Sequence, residues 1–369
     1  MALKLGIVFA VACLGVVGAQ LTFAENKVVT YPPYVSVKPG AFIVELEHSS
    51  TGPNTAAYAA SFNSIDHVSV HDQFSTLFNG LSVSAGDNVS PAQLANVDGV
   101  KRVWPVRYHT LPYRLSSLNI TYPYLHQQTG VAKAMQELGL DGSGVKVGIV
   151  DSGVDYGHPE LGNCWKTKGC PWQYGADFIG DIFDPSSPNP VIRPNPTPMD
   201  CDGHGTHVAG ILSAQGPNVY GVAPRATYGS YRVFSCPFGG KVSSTDDIIL
   251  RGIEAAYNDG HDIISLSLGG GAWPEDPISA ACAKLVQKGV VVVAANGNDG
   301  ANGLHTAGTP AVGHGVIGVG SVDNWNITGA VAEFTTPRQK HTVQLSTPGS
   351  GKYPFTFETD VPVAAPMDD

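Results

Sequence analysis

Two histidines stand three residues apart in Asp202-Gly-His-Gly-Thr-His-Val-Ala-Gly-Ile211, and upstream an aspartate, Asp151, follows the apolar run Val145-Lys-Val-Gly-Ile-Val150. These residue types admit two chemistries. A His-x-x-His pair could ligate a metal, or one histidine could act as a general base held by a carboxylate. A helical zinc site of this kind usually spaces its histidines four apart, with a glutamate between them and a third ligand elsewhere. Both the spacing and the glutamate are missing, so the base reading is the stronger and no metal is assigned. Asp151, in Val150-Asp-Ser-Gly-Val154, could orient such a histidine, ligate a metal or cap a turn. His204 falls at a predicted helix start with Asp202 as N-cap. His207, one turn on, reads as a buried, hydrogen-bonded structural histidine.

These side chains can meet only if the surrounding elements bring a strand end to a helix start. From residue 131 onward, short apolar runs alternate with helical segments. The predicted strands are 145–150, 226–234, 262–268, 290–295 and 316–321. Ser244 is predicted to cap a helix running to Asn258, with Gly260 just beyond; Asp276-Pro277 starts another, closed by Gly289. Near-continuous apolar strands joined by helices predict a parallel sheet covered on both faces. In such sheets the ligand crevice lies outside the carboxyl ends of the strands. That singles out Asp151, Leu268-Gly-Gly-Gly271 and Asn296-Gly-Asn-Asp-Gly300.

The preceding part differs. Ala41-Phe-Ile-Val-Glu-Leu-Glu47 and Val100-Lys-Arg-Val-Trp-Pro-Val-Arg-Tyr108 read as strands, and Ser90 caps a short helix opened by Pro91. A small α+β unit fits, with 113–130 as a connector. At the far end, segments near Glu333, His341 and Tyr353 read as short strands broken by proline and glycine.

With 369 residues, 43% apolar, the chain can bury one large core plus smaller ones. Net charge is −10, no basic run occurs, and nucleic acid is excluded as a partner. Lys4 followed by apolar or glycine residues 5–19 reads as a secretory signal peptide rather than a membrane span, and no membrane association is expected once it is removed. Secretion makes Cys164, Cys170, Cys201, Cys236 and Cys282 disulfide candidates. Cys164 and Cys170 make the easiest local pair, and no pairing is assigned to the other three. Asn88, Asn119 and Asn326 begin glycosylation sequons. Asp155 and Asp181 are loop carboxylates a calcium could use, but no Asp-rich loop argues for one; no cofactor is expected.

"VGIVDSGVDYGHPEL" (147–161), "DGHGTHVAGI" (202–211), "GVAP" (221–224), "ISLSLGG" (264–270) and "VVVAANGNDG" (291–300) together resemble the successive motifs of the subtilisin-like serine proteases, the subtilases. The resemblance implies an α/β fold, a parallel doubly wound subtilisin-like sheet, here incomplete. It implies Asp151 as the triad aspartate, His204 as the general base and Asn298 as an oxyanion donor. Ser267, Leu268, Gly269 and Gly270 would pair with extended substrate backbone and wall a specificity pocket, with Gly297 on its far side. The glycine-rich walls fit a broad site tolerant of apolar side chains. Residues 38–112 resemble, more loosely, the family's inhibitor-type propeptide, which folds the enzyme and then occupies its cleft. The expected organisation is a signal peptide at 1–19, propeptide at 20–112, partial catalytic domain at 113–325, and at 326–369 the start of a β-rich protease-associated insert. The expected partners are an extended peptide or protein substrate and the chain's own propeptide, and a monomer is expected.

One departure stands out. The family's nucleophile follows the asparagine in a Gly-Thr-Ser-Met-Ala-like motif at a helix start. After Asn298 the only serines are Ser321, Ser346 and Ser350, and none carries that motif. The expectation is therefore a chain that stops short of its serine and is inactive by itself. The alternatives are a peptide-binding pseudoprotease, or an inhibitor or chaperone working through the propeptide-like unit.

Overall fold

The computed structural model describes residues 22–23, 27–47, 54–111, 126–187, 190–217, 219–237, 241–271, 273–322, 331–335 and 340–344. The signal peptide, the connector's first part, the sequons at Asn119 and Asn326, Ser346, Ser350 and the strand expected near Tyr353 lie outside these residues.

After the short pair β1 (Thr22–Phe23) and β2 (Val29–Thr30), the N-terminal part runs β3 (Val37–Leu46), α1 (Thr55–Asn63), β4 (Val68–Phe74), β5 (Gly80–Ala85), α2 (Pro91–Ala95) and β6 (Val100–Thr110). Ser90 closes a capping box with Gln93 at the start of α2, as its position before Pro91 predicts. The strands form an antiparallel sheet ordered β10-β6-β3-β5-β4. Its edge strand β10 (Ser243–Thr245) comes from much later in the chain and pairs with Tyr108–Thr110. Both faces of β3 are buried: Phe42, Val44 and Leu46 pack under α1 and α2, while Ala41 and Ile43 face the second layer.

That layer is a six-stranded, all-parallel sheet ordered β13-β12-β11-β7-β9-β8. Its strands are β7 (Lys146–Asp151), β8 (Trp172–Asp177), β9 (Thr227–Arg232), β11 (Ile263–Leu266), β12 (Val291–Ala295) and β13 (Ile317–Val319). The sequence pattern anticipates all but β8, whose Trp-Gln-Tyr-Gly-Ala-Asp lacks a clear apolar run. The helices are α3 (Val131–Leu138), α4 (His204–Ser213), α5 (Asp246–Asn258) and α6 (Pro277–Gln287). The hairpin β14 (Val331–Thr335) with β15 (Lys340–Gln344) follows.

Two caps differ from expectation. The N-cap of α5 is Thr245; Ser244 is still in β10, because pairing with His109 keeps it extended. The N-cap of α4 is Gly203 in a left-handed conformation, φ 107°, not Asp202. Asp276 does cap α6, accepting from the Ser279 N–H at 2.8 Å.

One apolar core runs through both layers. Ile43, Trp104 and Val106 from the antiparallel sheet join Ile248, Ile249 and Ile278 from α5 and α6 and Val150 and Ile264 from the parallel sheet. On the other face, Val147, Ile149, Trp172 and Tyr228 pack with Ala209 of α4.

Candidate active site

Strand β7 delivers Asp151 at its carboxyl end, and the chain switches direction around it: β9 and β8 lie to one side, β11, β12 and β13 to the other. Such a switch point opens a crevice in an α/β sheet. Into it projects the first residue of α4, His204, whose Nδ1 lies 2.7 Å from Asp151 Oδ1. The carboxylate side chain is 1% exposed and the imidazole 20%.

Glycine lets these two elements meet. A Cβ on Gly205 would stand 2.1 Å from the Gly153 carbonyl oxygen, so any side chain there would push α4 off the strand end. The approach is then tied by hydrogen bonds. Ser152 Oγ accepts from the Gly205 N–H at 2.8 Å and donates to Asp200 Oδ1 at 3.1 Å. Asp200 Oδ1 also accepts from the N–H groups of Asp202 and Gly203, and its Oδ2 accepts from the N–H and hydroxyl of Thr206. Asp200 and Ser152 therefore take the Thr206 and Gly205 N–H groups at the start of α4 that Gly203, having no side chain, leaves open. Asp202 takes a smaller part, accepting from the His204 N–H at 3.2 Å. The role of Asp200 was not evident from sequence, since it lies four residues before the helix.

A disulfide, Cys201–Cys236, joins this loop to the segment after β9. The Arg232 guanidinium beside it donates to Asp181 Oδ1 at 2.7 Å and to the Met199 carbonyl at 3.1 Å. Among the described residues Asp181, Cys201 and Cys236 form a compact group; with both sulfurs in the disulfide, no thiolate remains to ligate a metal. Cys164 and Cys170 are bonded to each other, and Cys282 is a buried free thiol.

Burial works against a charged His204, but the hydrogen bond and charge of Asp151 outweigh it and raise the imidazole above its ordinary range. The second oxygen, Asp151 Oδ2, is buried without a hydrogen-bond partner. One expectation is corrected. His207 is not buried: α4 turns it to solvent, because the face carrying Gly205 and Ala209 is the one pressed on the sheet. The Gly270 N–H donates to the Thr309 carbonyl at 3.2 Å.

Ser267, Leu268, Gly269 and Gly270 follow β11, and Gly297 and Asn298 follow β12. Both segments leave the same carboxyl edge as Asp151, since β11 pairs in parallel with β7 and with β12. Leu268 is buried, whereas Gly297 and Asn298 are exposed.

Comparison with known proteins now places the molecule. Residues 142–365 match the sequence model of the Subtilase family, Peptidase_S8. The chain belongs to the subtilase family. It is 34% identical over 275 residues to the minor extracellular protease Vpr of Bacillus subtilis (strain 168), covering 72% of this chain and 32% of that protein. It is 33% identical over 247 residues to subtilisin E of the same organism, covering 65% of this chain and 55% of that protein. The subtilase chain thus spans about a third to a half of the length of these relatives. Among solved structures, it resembles fervidolysin from Fervidobacterium pennivorans with a TM-score of 0.55 and 19% identity, over 88% of this chain and 48% of that one. It also resembles the S393A mutant of the epidermin leader peptide processing protease EpiP from Staphylococcus aureus, with a TM-score of 0.58 and 20% identity over 77% and 70%. These likenesses show the subtilisin-like fold. Among the described residues no helix is long and apolar enough to cross a membrane.

Proposed function

We propose that this subtilase serves as a secreted serine endopeptidase, with Asp151 and His204 as the aspartate and histidine of its triad. The observation that carries the reading is the 2.7 Å contact between His204 Nδ1 and a buried carboxylate at the topological switch point. With Nδ1 engaged, the other ring nitrogen, Nε2, is the one that takes a proton from a nucleophilic hydroxyl and later returns it to the leaving amine. Asp151 holds the ring orientation and stabilises the imidazolium. The Asn298 side-chain amide donates to the oxyanion as the carbonyl becomes tetrahedral. Ser267–Gly270 and Gly297 flank an extended substrate backbone, which adds as a strand. No metal or cofactor enters this reading. The antiparallel unit up to about residue 112 acts as the propeptide, docked on α5 and α6 until it is cut away. The working species is a soluble monomer with peptide or protein substrates.

The nucleophile is a serine hydroxyl presented to His204 Nε2. The test is labelling by a serine-directed fluorophosphonate, applied to residues 20–369 and to the secreted product purified from its source. The secreted product should label, and His204→Ala should abolish the labelling; residues 20–369 should not label. A folded secreted product that neither labels nor cleaves protein would overturn the reading. Labelling of Ser321, Ser346 or Ser350 in a His204-dependent way would place the nucleophile within these residues instead.

A further inference from the structure

Arg107 is among the largest fully buried side chains, and its side-chain hydrogen bonds and ion pairs go to residues from the later part of the chain. Its backbone N–H and Nε donate to Asp246 Oδ2 at 2.7 and 3.1 Å, and its Nη2 donates to Asp246 Oδ1 at 3.0 Å. The same Nη2 lies 3.2 Å from Asp276 Oδ2, and Nη1 reaches the Gly270 carbonyl at 3.5 Å. The face of the guanidinium lies over Tyr31, 5.2 Å from the ring centroid.

This receptor fits a planar fork rather than a point charge. Asp246 is the first residue of α5 and Asp276 the N-cap of α6, positions where the helix dipoles favour carboxylate anions. Asp276 is further fixed by Ser279 and by the Thr309 hydroxyl, which donates at 2.6 Å. Just before Asp246, β10 pairs antiparallel with the three residues after Arg107. Gly270, at the other side, ends the segment assigned above to the substrate wall. The pocket is thus continuous with a lane that accepts an extended strand. His109 Nε2 also lies 2.7 Å from Asp246 Oδ1. Once the N-terminal unit leaves, Arg107 and His109 leave together and two buried carboxylates remain without those partners, a costly arrangement that an arriving guanidinium relieves.

We infer that Asp246, Asp276 and the Gly270 carbonyl form a guanidinium-binding subsite of the substrate groove, filled in this state by the chain's own Arg107. Once the N-terminal unit departs, the subsite takes an arginine side chain from an extended peptide lying along β10. The inference rests on the protease reading for its substrate claim, and it replaces the expectation of a uniformly apolar-tolerant groove at this one position.

Two experiments divide the claim. In the full chain, Arg107→Ala should lower Tm, and ethylguanidinium should restore part of the loss in a saturable way. Ethylammonium at equal ionic strength should not, and Arg107→Ala/Asp276→Asn should lose the rescue. Equal effects of the two cations, or rescue that survives Asp276→Asn, would overturn the guanidinium pocket. Should Arg107→Ala not fold, Arg107→Lys serves: a Tm equal to that of the parent would show that the pocket reads charge alone. In the active secreted enzyme, peptide pairs carrying arginine or citrulline at the position Arg107 occupies should differ in kcat/KM by about tenfold or more, and Asp276→Asn should bring that ratio toward one. Equal cleavage of both peptides, with rescue intact, would leave Arg107 as a lock for the N-terminal unit and remove the substrate subsite. Absence of any cleavage would fail the protease reading while the rescue still decides the pocket.

Discussion

Two charge clusters flank the core, and they are built differently. Around Asp246, Arg107, His109 and Asp276 are all buried, and Asp246 receives Arg107 from three nitrogens and His109 Nε2 at 2.7 Å. Around Asp151, one carboxylate oxygen meets His204 and the Ser152 N–H, the other is buried without a partner, and the imidazole keeps an edge in solvent. The first is closed on every side and ties two layers together. The second is left with an open acceptor and a reachable base. A structural ion pair is stable because nothing in it remains to be satisfied; a catalytic pair must keep an atom available for a third group.

The contrast predicts unequal costs of truncation. Asp246→Ala would leave Arg107 buried with Asp276 as its single carboxylate, and His109 without its acid. Breaking a buried pair in this way should cost about 3–5 kcal/mol, read as a fall in denaturation midpoint at unchanged m-value. Asp151→Ala should cost clearly less, because its partner can turn to water. If the order of the two were reversed, the closed-versus-open distinction would not hold.

Gly205→Ala comes next. The obstructing atom is a backbone carbonyl, which cannot swing aside, so about 1–3 kcal/mol of overpacking is expected together with a lengthened His204–Asp151 contact. At Gly210, in the same helix, an added Cβ would meet nothing within 4 Å, and Gly210→Ala should be neutral or stabilising by up to about 1 kcal/mol. Thermal melts of the two variants side by side separate close approach from helix propensity. Asp200→Ala is smaller again. It releases the donors at the start of α4 and should cost about 0.5–2 kcal/mol, checked by the same melts.

What the sequence discloses of this arrangement follows physical rules. Apolar runs such as Val147–Val150 and Val290–Ala295 show themselves because both faces of a parallel sheet are covered. Asp151 and His204 were legible because they punctuate such elements in a distinctive order. Trp172–Asp177 was not, since an edge strand with one partner needs no continuous apolar run. His207 differs from its expected burial because α4 presses the face of Gly205 and Ala209 on the sheet and turns the histidine outward. The Cys201–Cys236 bond and the Arg107–Asp246 pair depend on contacts between residues far apart in the chain. No local spacing encodes them.

The finest test of the open pair is the titration of His204. Asp151 favours the imidazolium more than burial opposes it, so the folded pKa lies above that of an ordinary imidazole. The sign for stability follows: the pair's contribution is fully present below the unfolded value, near ~6.5, and is lost as pH rises through the raised folded value. The sign for chemistry is opposite, since only the neutral ring can accept a proton; hydrolysis by the secreted enzyme should fall as pH drops through that same folded value. Following the His204 ring protons by NMR in the parent and in Asp151→Asn would read the coupling directly. The parent should titrate higher than the variant. An equal midpoint in the two would mean that the 2.7 Å contact carries no charge coupling, and the raised basicity assigned to His204 would have to be abandoned.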